Sequence, residues 1–543
     1  MTCVRRLDLT TLCMPPILCH GGHKMMPAAT LSQSTRAAGA PCISNGALLA
    51  FLVAWLGVDQ LLLWRFLDVA PLWAYIVGAA IVAGLCVAIR RLTPPGPGPS
   101  ARTVAICFAL SLCLLILGGE GRLLYANIDW QVRLAALRDM AVNPWPFVYA
   151  SPAGSDVLRA PVGMFLLPSL AFKALGNRAG DMALLVQNSI LLAVVMALAS
   201  QPFATRRAKL CALVTFLCFS GMDVIGDLIL NGMVGEHLED WLGLQYSATV
   251  TQAFWVPQHA LAGWIGALAY LLWRADRLPL GLYLAVLPLT ALWSPLGLMG
   301  AMPFALLAGS RTIMAGRLGA RDILLPALSS LLVLPSLLYM AAAGDAVGLR
   351  LQPLPPTQWL TFQAIETLPY LVPLLLTRTA LRMGRDTLWV IALWLAFIPF
   401  VQIGWSIDFM MRASATALAL LAVMVGDHLA ATPNKRVWLI AVLAIGSFTG
   451  AKEIHRALAH PSAPEVRCSV AQAWDQSFSD FPKGTYLAPL QDMPAAVRPK
   501  NPALVPTTPL PRCWDGDWYR PRNTRPRELR RQDSVKRQAD RKG

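Results

Sequence analysis

Stretches of roughly 17 to 22 consecutive apolar residues recur along the chain, and no other feature limits its fold as strongly. A helix crossing about 30 Å of hydrocarbon needs about 20 such residues. Without water, only a helix or a closed barrel satisfies its own backbone groups. Composition agrees: 56% of the 543 residues are hydrophobic and 14% are charged, where globular domains carry about a quarter. The reading is therefore an all-α, polytopic helical bundle in a membrane, with the bilayer as its first partner and no nucleic acid.

Thirteen spans are expected, at 47–68, 72–90, 103–119, 181–201, 209–230, 254–273, 278–292, 294–310, 322–341, 359–377, 387–404, 413–430 and 437–452. With alternation enforced, six basic connections fall on one side. They carry Arg90, Arg91 and Arg102; Arg206, Arg207 and Lys209; Arg274 and Arg277; Arg311, Arg317 and Arg321; Arg378, Arg382 and Arg385; Lys435 and Arg436. The positive-inside rule makes that side the cytoplasm. The run "PVGMFLLPSLAFKALG" at 161–176 is short, holds Pro168 and Lys173, and would break the alternation. It reads as a re-entrant or interfacial helix, with a short true span as the alternative.

Residues 1–46 read as a loose cytoplasmic leader, with Met25 or Met26 as alternative starts, and 47–92 as an N-terminal helix pair cut off by "TPPGPGPS". The core runs over 102–452 with outer loops at 120–180 and 231–253, followed by a small tail domain at 453–519 and a basic, disordered tail at 520–543. Cys468 and Cys513 are the only cysteines after the last span. An oxidising compartment would join them, and two unrelated thiols are the rival reading. The basic end argues mildly against an outside tail, although the charge rule weakens far from the spans.

Chemistry concentrates in the outward segments. In "NIDWQVRLAALRDMAVNPWPFVY", 127–149, Trp130, Leu134, Leu137 and Ala141 form one apolar stripe, with Asp129 and Arg133 one turn apart beside it. This predicts an amphipathic helix on the membrane surface, stopped by the prolines. Asp129 either caps it and pairs with Arg133 or presents an acid to a substrate. The segment 220–264 carries Asp223, Asp227, Glu236, His237, Glu239, Asp240 and His259. Acids and histidines at a membrane mouth suit proton transfer or sugar recognition. His237, flanked by acids, is the stronger candidate, whereas His259 has a structural reading as well. No zinc spacing and no cofactor motif is present, so a divalent metal has no support. Asp408 and Arg412, four apart in "WSIDFMMRASATAL", serve either as an interhelical lock or as a phosphate site. Arg159 precedes Pro161, and Glu366 lies near the outer end of the tenth span, on the same side.

The acid in "IDWQVR" after an early span, the "WP" after a short surface helix, and the Pro-led segment ending in "FKALGN" resemble the polytopic glycosyltransferases of the GT-C superfamily. That class is similar to the aminoarabinose and protein O-mannosyl transferases, and the likeness covers about 102–340 in pattern. The segments "FSGMDVIG", "EHLEDW", "QYSATVTQAFWVPQHALAGW" and "DFMMRAS" resemble a group of uncharacterised bacterial membrane proteins within or near that class. The resemblance implies a polyprenyl-phosphate sugar donor, a glycan or lipid acceptor, and catalysis at the outer face of the bacterial cytoplasmic membrane; the alternation of thirteen spans from a cytoplasmic leader puts the tail in the periplasm. Asp129 would be the base or acceptor-orienting acid, with Arg159 and Arg412 on the donor phosphate. The chain departs from the pattern in having Trp130, and no second acid, after Asp129, which leaves metal dependence open. A lipid or glycan transporter, or a non-catalytic subunit of an envelope assembly, are the alternatives.

Overall fold

Among the described residues of the computed structural model, seven helical segments are long and apolar enough to cross a membrane: Asn45–Leu67, Leu72–Leu92, Asn177–Ala199, Arg206–Asn231 (interrupted at 219–222), Pro295–Met314, Ala320–Met340 and Val437–Ala459. An eighth results if Pro356–Glu366 and Leu368–Leu376, bent by 68° at Thr367, are one broken span. The bend has a local cause: the Pro369 ring has no N–H and meets the carbonyl of the preceding turn. The structure describes residues 42–152, 154–342, 348–404, 407–431, 437–479, 481–505 and 510–519. Most of the expected leader, the Lys435 and Arg436 connection and the basic tail lie outside them.

The expectation of thirteen spans is not met as thirteen long helices. The run at 278–292 closes as the ten-residue helix Leu280–Leu289, that at 387–404 as the 14-residue helix Gly384–Phe397, and those at 103–119 and 413–430 as the 17-residue helices Ala101–Leu117 and Ala415–Ala431. The first is enclosed by protein, with Leu282, Tyr283, Val286 and Leu289 buried. Hydropathy alone does not separate a core helix from a span facing lipid.

An all-α fold is likewise only part of the description, because the mostly helical chain has two small sheets among the described residues. Strands β1 (Phe147–Ser151), β2 (Gly154–Leu158), β5 (Leu487–Pro489) and β6 (Ala503–Val505) form one sheet in the order β5-β2-β1-β6. Strands β3 (Leu349–Leu351) and β4 (Val401–Ile403) form a second, antiparallel pair. In the larger sheet β1 and β2 are a hairpin, β6 adds parallel to β1, and β5 adds antiparallel to β2. Residues 487–505 of the tail therefore complete a sheet begun 340 residues earlier in the first loop, as Phe147 opposite Ala503 and Leu158 opposite Leu487 show. A Cys468–Cys513 disulfide closes the tail, and the Trp518 indole donates to the Ala126 carbonyl at 2.7 Å.

The connections that carry Arg274, Arg311 and Arg382 meet at one end of the bundle. Asp386 accepts from Arg274 at 3.0 Å and pairs with Arg311, while Arg382 pairs with Asp427 at 3.0 Å and donates to the Pro202 carbonyl. The helix Pro257–Arg274 ends there. His259, near its start, stands about 22 Å away along the helix axis at the usual rise per residue. The first loop and the tail assemble around that opposite end.

Candidate functional site

The loop helix expected to lie on a membrane surface is buried nearly all round. It runs Asp129–Val142, and Trp130, Gln131, Arg133, Leu137, Asp139 and Met140 are all enclosed. The difference has a clear physical origin: the face expected to meet water is covered by the tail. Ser477 hydrogen-bonds to the Gln131 amide oxygen, and Asp139 Oδ2 accepts from the Val470 amide at 2.8 Å and from the Tyr149 hydroxyl at 2.7 Å. Burial pushes the Asp139 carboxyl up to about 6, against the hydrogen bonds from Val470 and Tyr149 that favour its charged form.

Asp129 does not cap this helix. The N-cap position is Ile128, with no side-chain cap; the Asn127 side chain just before it accepts from the Asp129 amide at 3.1 Å, while the Asp129 carboxylate accepts from Arg133 Nη2 at 2.8 Å. Of that pair, Arg133 is sealed in at 3% exposure and Asp129 keeps 27%. Arg133 also lies over the Trp130 ring, whose indole is fixed by the Phe254 carbonyl. Its Nε and Nη1 are buried without a hydrogen-bond partner among the described residues.

Further groups converge on the same place. Arg412 pairs with Asp408 at 3.0 Å, and its buried Nε is unpartnered among the described residues. The charges of both Arg133 and Arg412 act on the His259 ring, whose Nδ1 bonds the Ser294 hydroxyl at 2.7 Å. Tyr486 arrives from the tail with its hydroxyl facing Arg133. Burial pushes that phenol up, and the charge of Arg133 opposes it. Arg159 supports the residue from behind: its amide donates to the Tyr486 carbonyl at 2.7 Å and its guanidinium donates to Gly484.

Asp129, Arg133, His259, Asp408, Arg412 and Tyr486 thus form one cluster, with Arg159 behind it. His237 and Glu236 stand in another. His237 pairs with Glu453 and packs at a tilt against Trp255, Arg456 donates to Glu453 at 3.0 Å, and Glu236 accepts from the Tyr519 hydroxyl at 3.0 Å. Burial disfavours charge on the His237 ring, yet the Glu453 carboxylate outweighs it and raises the imidazole. The neighbouring Glu239, buried and close to Asp223, is pushed up to about 8. Glu366 accepts from Trp241 at 2.9 Å, and Asp223 accepts from Ser220 and Thr449.

Sequence reasoning missed two members. Tyr486 lies more than 350 residues from Asp129, in a segment with no periodic or charge signal, and only the fold places it. Glu120 left a signal, a lone acid just past an apolar run; it is buried, accepts from Asn188 at 3.0 Å and feels the charge of Arg133. Among the described residues no group of three or more His, Cys, Asp or Glu side chains is arranged to hold a metal ion. No family model, curated protein or solved structure matches the chain. The chemistry of the cluster is therefore the guide to function.

Proposed function

We propose that the protein is a membrane glycosyltransferase that moves a sugar from a polyprenyl-phosphate donor to an envelope acceptor at the outer face of the cytoplasmic membrane. One observation carries this reading: Arg133 and Arg412 keep buried N–H groups without a hydrogen-bond partner among the described residues, in a cluster that also holds an acid, an imidazole and a phenol. Guanidinium groups suit phosphate because their donors match its oxygens in pairs. The positive-inside rule supports a cytoplasmic side for the end with Arg274, Arg311 and Arg382, and so an outer side for this cluster. On this view the shorter apolar helices are also embedded.

The reaction breaks the bond between sugar C1 and the phosphate oxygen and forms one between C1 and an acceptor hydroxyl oxygen. Negative charge grows on the departing phosphate, where Arg133, Arg412 and the Tyr486 hydroxyl stabilise it. The acceptor proton passes to Asp129, the more open member of its ion pair. The test is release of polyprenyl phosphate by protein in liposomes offered a panel of polyprenyl-phosphate sugars together with extracted envelope glycan and lipid as acceptor. Wild type releases it from one donor, and Asp129→Asn slows release by about 10²-fold or more. Equal rates in the two proteins would refute the assignment.

The bent span supports a second reading, transport of a lipid or glycan, because Glu366 sits at the break beside the buried Asp223. Movement of an intact sugar lipid across the liposome, with no release, would favour it.

A further inference from the structure

A cavity of about 280 Å³ opens between five helices at the basic end, far from the Asp129 cluster. Its wall is almost wholly apolar and includes Cys107, Ala199, Leu213, Trp264, Leu271 and Val423, while Arg206 and Lys209 stand at its rim. Ligand pockets begin near about 300 Å³, so the space suits one slender chain. From Leu271 to Trp264 the wall follows the Pro257–Arg274 helix for seven residues, about 10 Å. The cavity therefore begins at the level of the charged connections and runs into the apolar half of one leaflet.

The rim is specific in charge. Arg206 opens the Arg206–Cys218 helix, where Thr205 caps the Ala208 amide at 3.1 Å and the helix end favours an anion. Neighbouring Arg382 is committed to Asp427 and lies over Phe203, whereas Arg206 and Lys209 have no ion pair among the described residues. An apolar cavity does not hold water well, and a basic rim between membrane helices recognises an acidic headgroup.

We propose that this cavity binds one anionic phospholipid of the surrounding leaflet, its acyl chain filling the space and its phosphate held by Arg206 and Lys209. The site is independent of sugar transfer at the other end. The test is thermal unfolding of the delipidated, full-length protein in detergent with phosphatidylglycerol or phosphatidylcholine of the same acyl chains. A ligand that binds only the folded state raises Tm. Phosphatidylglycerol is expected to raise it by several degrees and phosphatidylcholine by less than half as much. The double variant Arg206→Ala, Lys209→Ala responds equally to both lipids. Leu213→Trp, which fills the cavity, loses the response to either. Equal shifts by the two lipids in wild type, no shift by either, or an undiminished preference in the double variant would overturn the proposal. The double variant changes only rim residues and decides the matter if the filled cavity does not fold.

Discussion

Arg133 is the residue on which the two readings of the site divide. A buried donor without a partner costs on the order of 1–3 kcal/mol, so a structural lock would not leave two of this guanidinium's nitrogens unused. Arg133→Met removes those donors, and the half-open Asp129 can be hydrated in the variant. The expected result is a Tm equal to or above that of wild type, with retention of a polyprenyl-phosphate lipid reduced at least tenfold, roughly the 1.4 kcal/mol of one weakened charged contact. Loss of both stability and retention would make the pair a lock. Asp139 offers a second test by pH. Its folded-state carboxyl titrates at about 6 and its unfolded one near 4. The folded state therefore binds more protons across that window, and the Asp139 contribution to stability falls as pH rises from about 4 to 6. Melting curves of wild type and Asp139→Asn across this range should diverge in that sense, by on the order of 2–3 kcal/mol, and run parallel above pH 7. A difference independent of pH would contradict the assignment.

Among the elements, the tail decides whether the cluster is complete, because it supplies Tyr486, strands β5 and β6 and the cover over the Asp129–Val142 helix. Its disulfide closes a loop of 45 residues, which constrains the unfolded tail by about 4 kcal/mol in the chain-entropy view. Reduction should expose 466–519 to protease well before the helical core and lower lipid retention in parallel. A tail that stays resistant with both thiols free would show that the sheet alone holds it. The same element explains what was legible in the sequence and what was not. Helix Asp129–Val142, its proline stop and the Asp129–Arg133 pair are local and follow from spacing, and the two tail cysteines stood out by position. The covering of that helix and the β5-β2-β1-β6 order depend on contacts more than 300 residues apart, which no local pattern records. Hydropathy also overcounted long helices, since Leu280–Leu289 is as apolar as a span while protein encloses it.

The described residues from Cys42 onward are polar in arrangement. Paired arginines, an apolar cavity and its basic rim occupy one end, and the cluster of Asp129, Arg133, His259, Arg412 and Tyr486 occupies the other, joined by the Pro257–Arg274 helix. His237 lies outside that cluster, so His237→Ala should leave release of polyprenyl phosphate within about threefold of wild type, and a loss as large as that of Asp129→Asn would give it a catalytic role. The helix pair Asn45–Leu67 and Leu72–Leu92 differs internally: the first is largely enclosed and the second mostly faces outward. The central claim is that the Arg133 and Arg412 guanidinium groups hold the phosphate of a lipid-linked sugar. The most direct measurement is native mass spectrometry of the protein purified in mild detergent, comparing wild type with Arg412→Ala. The account predicts a co-purified polyprenyl-phosphate species on wild type that is lost from the variant. The same species on both proteins, or bulk phospholipid alone on both, would contradict it.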